Sequence, residues 1–490
     1  MLFNTIDFII FFIIIVTTLF LIRERKFQHI LIIFGSYFFF YYSSNYYITL
    51  LIFTTLWDFY LGKIMYNAPT QKQKKVIFMT ILAGNLGLLG FFKYADFAIL
   101  QFNVLGTMFD LDNHIPSLDL ILPIGISFYT FHSIGYMVDV YRGQIKPASS
   151  LREYAIFITF FPQLVAGPIL RAKNFLPQLR EKLDNSKNGF RLKQIVFNNS
   201  NFKLGLTLMA FGFFNKMFIA DNVKILVDQV FENPIGLDSF TIILGTIGFG
   251  IQIFCDFSGY SDIAIGIALI LGFKIPMNFN KPYFATNPVD FWRRWHISLS
   301  SWLRDYLYVP LGGNRKSMPR GMLNLMIVMV LGGLWHGASL NFMVWGMLHG
   351  TYLIVFKLGK KYYEKYNLPK IRGSIGVFIS IIVTQYFIFL TWIPFRVRDF
   401  DQMIYSMEKF ILWDLKTEYT IDFILSQHKS TMIVMLIFLI LSIIAYKRKN
   451  LARQISELNN FRWLLFLTGV ILLILFFSVG NTNDFIYFQF

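Results

Sequence analysis

Two histidines in this chain lie in stretches whose neighbours are mostly apolar or aromatic. His336 stands in the run GGLWHG (332–337), and His296 stands in the run WRRWHIS (292–298). Imidazole is the side chain best suited to take up a proton near pH 7, so each is a candidate general base. The alternative for His336 is a neutral imidazole that hydrogen-bonds to a nearby carbonyl. Residue types alone leave both alternatives open.

The stretch around His296 is also rich in tryptophan and arginine. If 291–306 forms one helix, Trp292, Trp295, His296 and two leucines share one face, and the charged residues point elsewhere. Such a helix suits the cytoplasmic membrane interface, either as an anchor or as a site for a phosphorylated cytosolic donor such as coenzyme A. The candidate phosphate ligands are Arg293, Arg294, Arg304 and Arg315.

Other kinds of chemistry find little support in the sequence. No HExxH motif and no histidine–carboxylate cluster occurs, so we expect no metal site. The single cysteine, Cys255, excludes a disulfide framework. His349 lies thirteen residues after His336 among apolar residues, and we interpret it as structural. Asp256 and Asp262 are either structural polar pairs or cavity lining.

The elements that position these residues must be membrane helices. Hydrophobic residues make up 55% of the 490 residues and charged residues only 15%, whereas a soluble domain has about 25% charged residues. The apolar residues come in blocks of about 20, the length of a helix that crosses a bilayer. We therefore predict an all-α polytopic membrane protein with about ten spans. These lie near 5–22, 29–45, 46–61, 76–92, 120–140, 204–220, 240–272, 373–395, 431–446 and 463–480.

Two further apolar stretches do not fit a single crossing. Residues 153–170 and 321–350 each lie between basic segments, and each contains proline or glycine residues that could interrupt a helix. A stretch that begins and ends on one side must turn back, so we predict re-entrant segments. We expect non-helical backbone around 332–337, buried in protein or lining a catalytic cavity.

The charge distribution predicts the orientation. The net charge is +17, but the positive charge is concentrated in alternate loops. Segment 357–372 carries six basic residues against Glu364, whereas 94–119 carries four aspartates and no lysine or arginine. By the positive-inside rule the first faces the cytoplasm and the second faces out. We therefore expect a multi-pass membrane protein that contacts lipid and binds no nucleic acid.

The chain shows no internal repeat and no low-complexity linker. We therefore predict a single membrane domain over 1–490, with a catalytic region at about 254–350. The missing repeat also argues against a transporter or flippase, although such proteins share broken helices and buried ionisable groups. A non-catalytic scaffold is a further alternative. No basic residue precedes Ile6, so we interpret the first apolar block as a retained span.

Several long motifs closely resemble the bacterial branch of the membrane-bound O-acyltransferase (MBOAT) family. They are FFPQLVAGPILR (160–171), FCDFSGYSDIAIGIALILGFKIPMNFN (254–280), FWRRWHISLSSWLRDYLYVPLGGNR (291–315), GGLWHGASLNFMVWGMLHG (332–350) and FIYFQF (485–490). The chain looks most like the membrane subunits that O-acetylate alginate or peptidoglycan. It looks less like the protein that transfers D-alanine to teichoic acid.

The resemblance implies roles for particular residues. The histidine of the WHG motif, His336, would be catalytic, and the histidine of the RRWH motif, His296, would be the second functional histidine. The family has a buried tunnel in which donor and acceptor meet. The resemblance further implies a secreted SGNH-type acetyltransferase or esterase as partner. The basic residues of 291–315, on the side where coenzyme A is made, predict acetyl-coenzyme A as donor. The polymer and the oligomeric state stay open.

The predicted orientation can be tested with single cysteines in a Cys255→Ser background. Cysteines at Lys74 and Lys360 should react with an impermeant maleimide only after the membrane is opened, because both lie in basic loops. A cysteine at Asn233 should react in intact spheroplasts. Labelling at 360 in intact spheroplasts would contradict the orientation.

Overall fold

A computed structural model describes most of the chain. The described residues are 1–22, 25–110, 114–181, 199–367, 373–414, 417–448, 450–477 and 485–486. Their regular structure is helical throughout, and no strand occurs among them. The prediction of an all-α fold is therefore confirmed.

The α-helices are numbered in chain order. They are α1 (Ile6–Leu21), α2 (Arg25–Ser44), α3 (Ile48–Tyr66), α4 (Gln71–Met108), α5 (Ile126–Tyr141), α6 (Leu151–Thr159), α7 (Phe161–Leu164), α8 (Ala172–Leu179), α9 (Asn199–Phe213), α10 (Asp221–Glu232), α11 (Ser239–Ile270), α12 (Pro288–Trp292), α13 (Ile297–Leu303), α14 (Met318–His336), α15 (Leu340–Lys365), α16 (Gly373–Arg396), α17 (Phe400–Ile411), α18 (Glu418–Gln427), α19 (Lys429–Lys447), α20 (Leu451–Ser456) and α21 (Asn460–Phe477). Short 3₁₀ turns occupy Asn45–Tyr47 and Pro282–Phe284, and π-helical turns occupy Phe214–Ala220 and Arg304–Tyr308.

Nine helical segments in the described ranges are long and apolar enough to cross a membrane. One of them, Phe27–Tyr66, contains most of α2 and all of α3, which the turn at Asn45–Tyr47 separates. The sequence predicted this pair as 29–45 and 46–61. Helix α1 has 16 residues and is a shorter apolar helix. The prediction of a polytopic membrane protein is confirmed.

The chain forms two compact units. The first contains Met1–Leu206 and Ala264–Pro276, and the second contains Thr207–Ile263 and Met277–Phe490. All the candidate site residues named from the sequence lie in the second unit. The single domain over 1–490 stays a prediction.

Within the first unit, the stretch 153–170 is broken as predicted. Helix α6 ends at Thr159, and α7 contains only four residues. The nine residues of α6 rise about 14 Å, half of the distance across the hydrocarbon core. The stretch therefore does not cross a membrane as one helix.

Within the second unit, the stretch 321–350 corrects the sequence prediction. Gly332 and Gly333 lie inside α14, which continues to His336, so the expected non-helical backbone is wrong for 332–336, and only Gly337 of that stretch is extended. The chain turns only at 337–339, where the Ser339 hydroxyl accepts a hydrogen bond from the Phe342 N–H at 3.4 Å. The 19 residues of α14 rise about 28 Å, which is long enough for a crossing.

The glycines of this helical hairpin serve close packing instead of a turn. A Cβ atom on Gly333 would lie 2.1 Å from the carbonyl oxygen of Phe342, and one on Gly346 would lie 2.5 Å from that of Met329. Small residues at a helix interface let two backbones approach each other. The absence of side chains at Gly333 and Gly346 therefore lets α14 and α15 pack in direct backbone contact.

The tryptophan–arginine stretch 291–306 also departs from the prediction, because it is not one helix. Helix α12 ends at Trp292, and α13 begins at Ile297 after His296. His296 has a φ of +41°, in the left-handed region that interrupts a right-handed helix. Trp295, His296 and Leu299 are buried, whereas the predicted interfacial helix would have placed the tryptophans at the level of the lipid headgroups.

The hairpin contact can be tested by adding one methyl group. Gly333→Ala should force α14 and α15 apart, since the new Cβ has no space, and should cost about 1–3 kcal/mol as an overpacked core does. Gly359→Ala is the matched control on α15, because nothing lies within 4 Å of its Cβ position. Thermal unfolding of the purified variants in detergent gives the comparison. Equal midpoints for Gly333→Ala and wild type would show that the glycine is not needed for packing.

Candidate active site

The structure brings the two predicted histidines together. The ring centroids of His296 and His336 lie 6.3 Å apart, and the rings are inclined by 48°. His296 is fully buried, and His336 is 5% exposed. His336 is the last residue of α14, and His296 directly precedes α13. The end of one helix and the start of another thus meet at a pair of imidazoles.

Aromatic rings surround His336 on several sides. Trp335 lies at 5.0 Å, Trp345 of α15 at 5.1 Å and Phe395 of α16 at 5.2 Å between ring centroids. Trp345 and Phe395 both approach the imidazole at steep angles, 81° and 67°. This shell leaves the histidine in an apolar setting, where the electrostatic interactions of a reacting group are stronger than in water.

His296 lies in a second group of rings. Phe257 of α11 contacts its imidazole edge-to-face at 4.6 Å, and Trp335 lies at 6.0 Å. His296 lies outside the helices that are long and apolar enough to cross a membrane. Burial lowers the pKa of its imidazole to about 3. Its imidazole is therefore neutral at physiological pH and carries one N–H donor and one acceptor nitrogen.

Asn278 is a site residue that sequence reasoning missed. Its backbone carbonyl accepts a hydrogen bond from the Ile297 N–H at 2.8 Å, and its side-chain oxygen accepts bonds from the Ser298 N–H at 3.2 Å and the Ser298 hydroxyl at 2.7 Å. Its amide group also donates to the Ser261 hydroxyl at 3.2 Å. These bonds satisfy the first turn of α13 and hold His296 in its left-handed conformation. The only sequence signal was its place in the 254–280 motif.

The four candidate arginines fall into two kinds. Arg294 forms an ion pair with Asp290 at 2.9 Å, and Arg304 forms one with Asp305 at 2.7 Å. Arg293 and Arg315 are exposed, and neither has an ion pair within the described part of the chain. These two are therefore the better placed to bind an anion.

The arginines also differ in their distance from the histidines along the chain. Arg293 precedes His296 by three residues. Arg315 lies just before α14, whose 19 residues separate it from His336 by a rise of about 28 Å. The structure thus does not gather all four arginines at one place on α12–α14.

A buried charge network is a second feature that the sequence did not reveal. Lys216, 1% exposed in the π-helical turn after α9, pairs with Asp221 at 2.9 Å and with Asp256 at 2.6 Å. Asp256 also accepts a hydrogen bond from the backbone N–H of Ile486 at 2.8 Å. Of the two alternatives for Asp256, the observed contacts are those of a structural polar pair.

The arrangement suits general base catalysis. A buried imidazole can remove a proton from a hydroxyl group, and a neighbouring neutral imidazole can donate a hydrogen bond to an oxyanion. Within the described residues no group of three or more histidine, cysteine, aspartate or glutamate side chains could hold a metal ion.

Comparison with protein families decides which family this arrangement represents. The model of the membrane-bound O-acyltransferase family matches residues 145–395, a range that contains both histidines and the four arginines. The chain belongs to this family. The resemblance predicted from the motifs is therefore confirmed, and so is the enzyme class, an acyltransferase.

Named relatives of the chain support the same family. The chain is 36% identical over 376 residues to "Probable alginate O-acetylase AlgI" of Pseudomonas aeruginosa, covering 75% of this chain and 67% of that protein. It is 34% identical over 381 residues to "Peptidoglycan O-acetyltransferase" of Helicobacter pylori, covering 72% and 68%. The match to the AlgI protein of Pseudomonas putida is 40% identical but spans 59% of that protein, less than two thirds. A "Teichoic acid D-alanyltransferase" of Bacillus subtilis is more distant, at 27% identity.

Proposed function

We propose that this MBOAT protein transfers an acetyl group from a cytosolic thioester to a hydroxyl group outside the cytoplasm. The observation that carries the proposal is the buried pair of imidazoles, His296 and His336, inside the region that matches the family. The names of the relatives at 34–40% identity support acetyl transfer to a polysaccharide or to peptidoglycan. D-alanyl transfer is the weaker candidate, because the relatives with that name are 27–28% identical.

In the proposed mechanism His336 is the general base. Its imidazole takes the proton of the acceptor hydroxyl as the oxygen attacks the thioester carbonyl. Negative charge develops on the carbonyl oxygen, and the N–H group of neutral His296 stabilises it. The carbon–sulfur bond then breaks, and the thiolate takes the proton from His336. The products are an ester and a free thiol, and His336 returns to its starting state.

We further propose acetyl-coenzyme A as the donor, entering from the cytoplasmic side. Arg293 and Arg315 are the stronger candidates for a phosphate contact, because both are exposed and neither has an ion pair among the described residues. Arg294 would first have to leave Asp290, and Arg304 would have to leave Asp305. Arg315 lies at the other end of α14 from His336, where it could contact the phosphates of a donor whose thioester lies beside His336.

We place this protein in the bacterial inner membrane. Its acceptor is either a sugar hydroxyl or a serine of a secreted SGNH-type partner. The names of the alginate and peptidoglycan relatives are compatible with both routes. Purification of the acetylated intermediate decides between them, since only the second route leaves an ester on a partner protein.

Replacement of His336 tests the proposed reaction. His336→Ala should abolish O-acetylation of the envelope polymer, because no other group would take the hydroxyl proton, while the amount of protein in the membrane stays near normal. His296→Ala should cause a large but incomplete loss, since a stabilising role leaves a residual rate. His114→Ala, which changes an exposed histidine, is the control. Ester content by mass spectrometry gives the readout, and wild-type acetylation in His336→Ala would refute the catalytic role.

Replacement of Arg293 and Arg294 tests the donor. The double change to Gln should weaken binding of acetyl-coenzyme A to the purified protein, since each lost charge-assisted contact costs about 1.5–3 kcal/mol, or roughly 10- to 150-fold in affinity. Arg293→Gln alone should account for most of the effect. His336→Ala and the surface control Arg453→Gln should bind normally. Unchanged binding in the double variant would contradict a role in donor binding and would leave the segment as a membrane anchor.

A further inference from the structure

His349 of α15 is a buried polar residue that the proposed reaction does not use. Its side chain is fully buried, and neither ring nitrogen has a hydrogen-bond partner among the described residues. Four aromatic side chains surround it. They are Phe291 at 6.0 Å, Trp292 at 5.0 Å, Trp345 at 4.6 Å and Tyr352 at 6.3 Å between ring centroids.

Packing alone does not account for an imidazole in this position. A phenylalanine would fill an aromatic box without burying two polar nitrogen atoms, whereas a buried polar group without a partner is costly. The indole nitrogens of Trp292 and Trp345 are likewise without a hydrogen-bond partner in the described chain. Polar atoms therefore concentrate at one place in an otherwise apolar helix interface.

Trp345 connects this place to the candidate active site. It precedes His349 by one helical turn, so the two side chains share a face of α15. The indole contacts His349 at 4.6 Å and 65°, and it contacts His336 at 5.1 Å and 81°. Trp345 is 1% exposed. A change in the orientation of this indole therefore changes the space that is open to the His336 ring.

We propose that His349 is a positioning residue, which sets the orientation of Trp345 and through it that of His336. The polar edge of one ring directed at the face of another favours a steeply inclined arrangement over a parallel one. The two inclined contacts, His349 to Trp345 and Trp345 to His336, fix one indole orientation out of the several that an apolar box would allow. This proposal rests on the proposed function of His336. His349 itself touches no reacting atom.

Two variants of His349 separate a polar role from mere space filling. His349→Phe keeps an aromatic ring but removes both nitrogen atoms, and His349→Gln keeps a donor and an acceptor. In the acetyl-transfer assay, His349→Phe should lower kcat about 10- to 100-fold with little change in KM, as expected for a displaced catalytic group. His349→Gln should recover a substantial part of kcat. Rates are expressed per folded molecule, counted from the monodisperse peak in size-exclusion chromatography.

Tyr352→Phe is the matched control. It removes the hydroxyl group of a ring whose centroid lies 6.3 Å from that of His349 on the same helix, and Tyr352 lies beyond His349 from Trp345 in sequence. The kcat should stay within about twofold of the wild-type value. A wild-type kcat in His349→Phe, or equal losses in the Phe and Gln variants, would overturn the proposal.

A double-mutant cycle tests the route through Trp345. If His349 acts on His336 through this indole, the losses in kcat of His349→Phe and Trp345→Phe should not multiply, and the double variant should be about as slow as the slower single variant. Fully multiplicative losses would overturn the proposed route. Failure of the proposed function is distinguishable, because His336→Ala would then keep wild-type activity whatever the His349 variants do.

Discussion

The close backbone contact between α14 and α15 is the constraint on which the candidate site depends. Glycines at 333 and 346 let the two helices meet with carbonyl oxygens where a Cβ atom would otherwise lie. Because the helices touch there, His336 at the end of α14 comes to lie beside Trp345 of α15. Membrane helices gain little from hydrophobic association, so close van der Waals packing has to hold such a pair together.

The second half of the site depends on hydrogen bonds instead. His296 occupies a left-handed conformation between two short helices. Asn278 accepts hydrogen bonds from the backbone N–H groups of Ile297 and Ser298 and from the Ser298 hydroxyl, directly after His296. This conformation turns the imidazole towards His336, whereas a continuous helix would have carried it along one face with Trp292. Aromatic side chains then enclose both imidazoles and leave an apolar setting for charge development.

The sequence by itself determined the class of fold, the family and the class of enzyme. Composition and blocks of about 20 apolar residues predicted the membrane helices, because the hydrocarbon core sets a length that any spanning helix must reach. The WHG and RRWH motifs identified both histidines and the family. The positions of the long spans agree with the structure to within a few residues for α2, α16 and α19, since these depend on local hydrophobicity alone.

Only the tertiary structure decided how the site is built. The glycines at 332 and 333 looked like a break from sequence because glycine disfavours an isolated helix, but Gly333 lies inside α14 and packs against the backbone of α15, where a Cβ atom would not fit. The interruption at His296 depends on the hydrogen bond from the Ile297 N–H to the backbone carbonyl of Asn278, eighteen residues before His296. The pattern of residues in 291–306 does not predict this bond. The same holds for the ion pairs that engage Arg294 and Arg304 and for the burial of Lys216 between two aspartates. Each is a contact between side chains or backbones that the folded chain brings together, and its energy depends on geometry that residue types do not encode one by one.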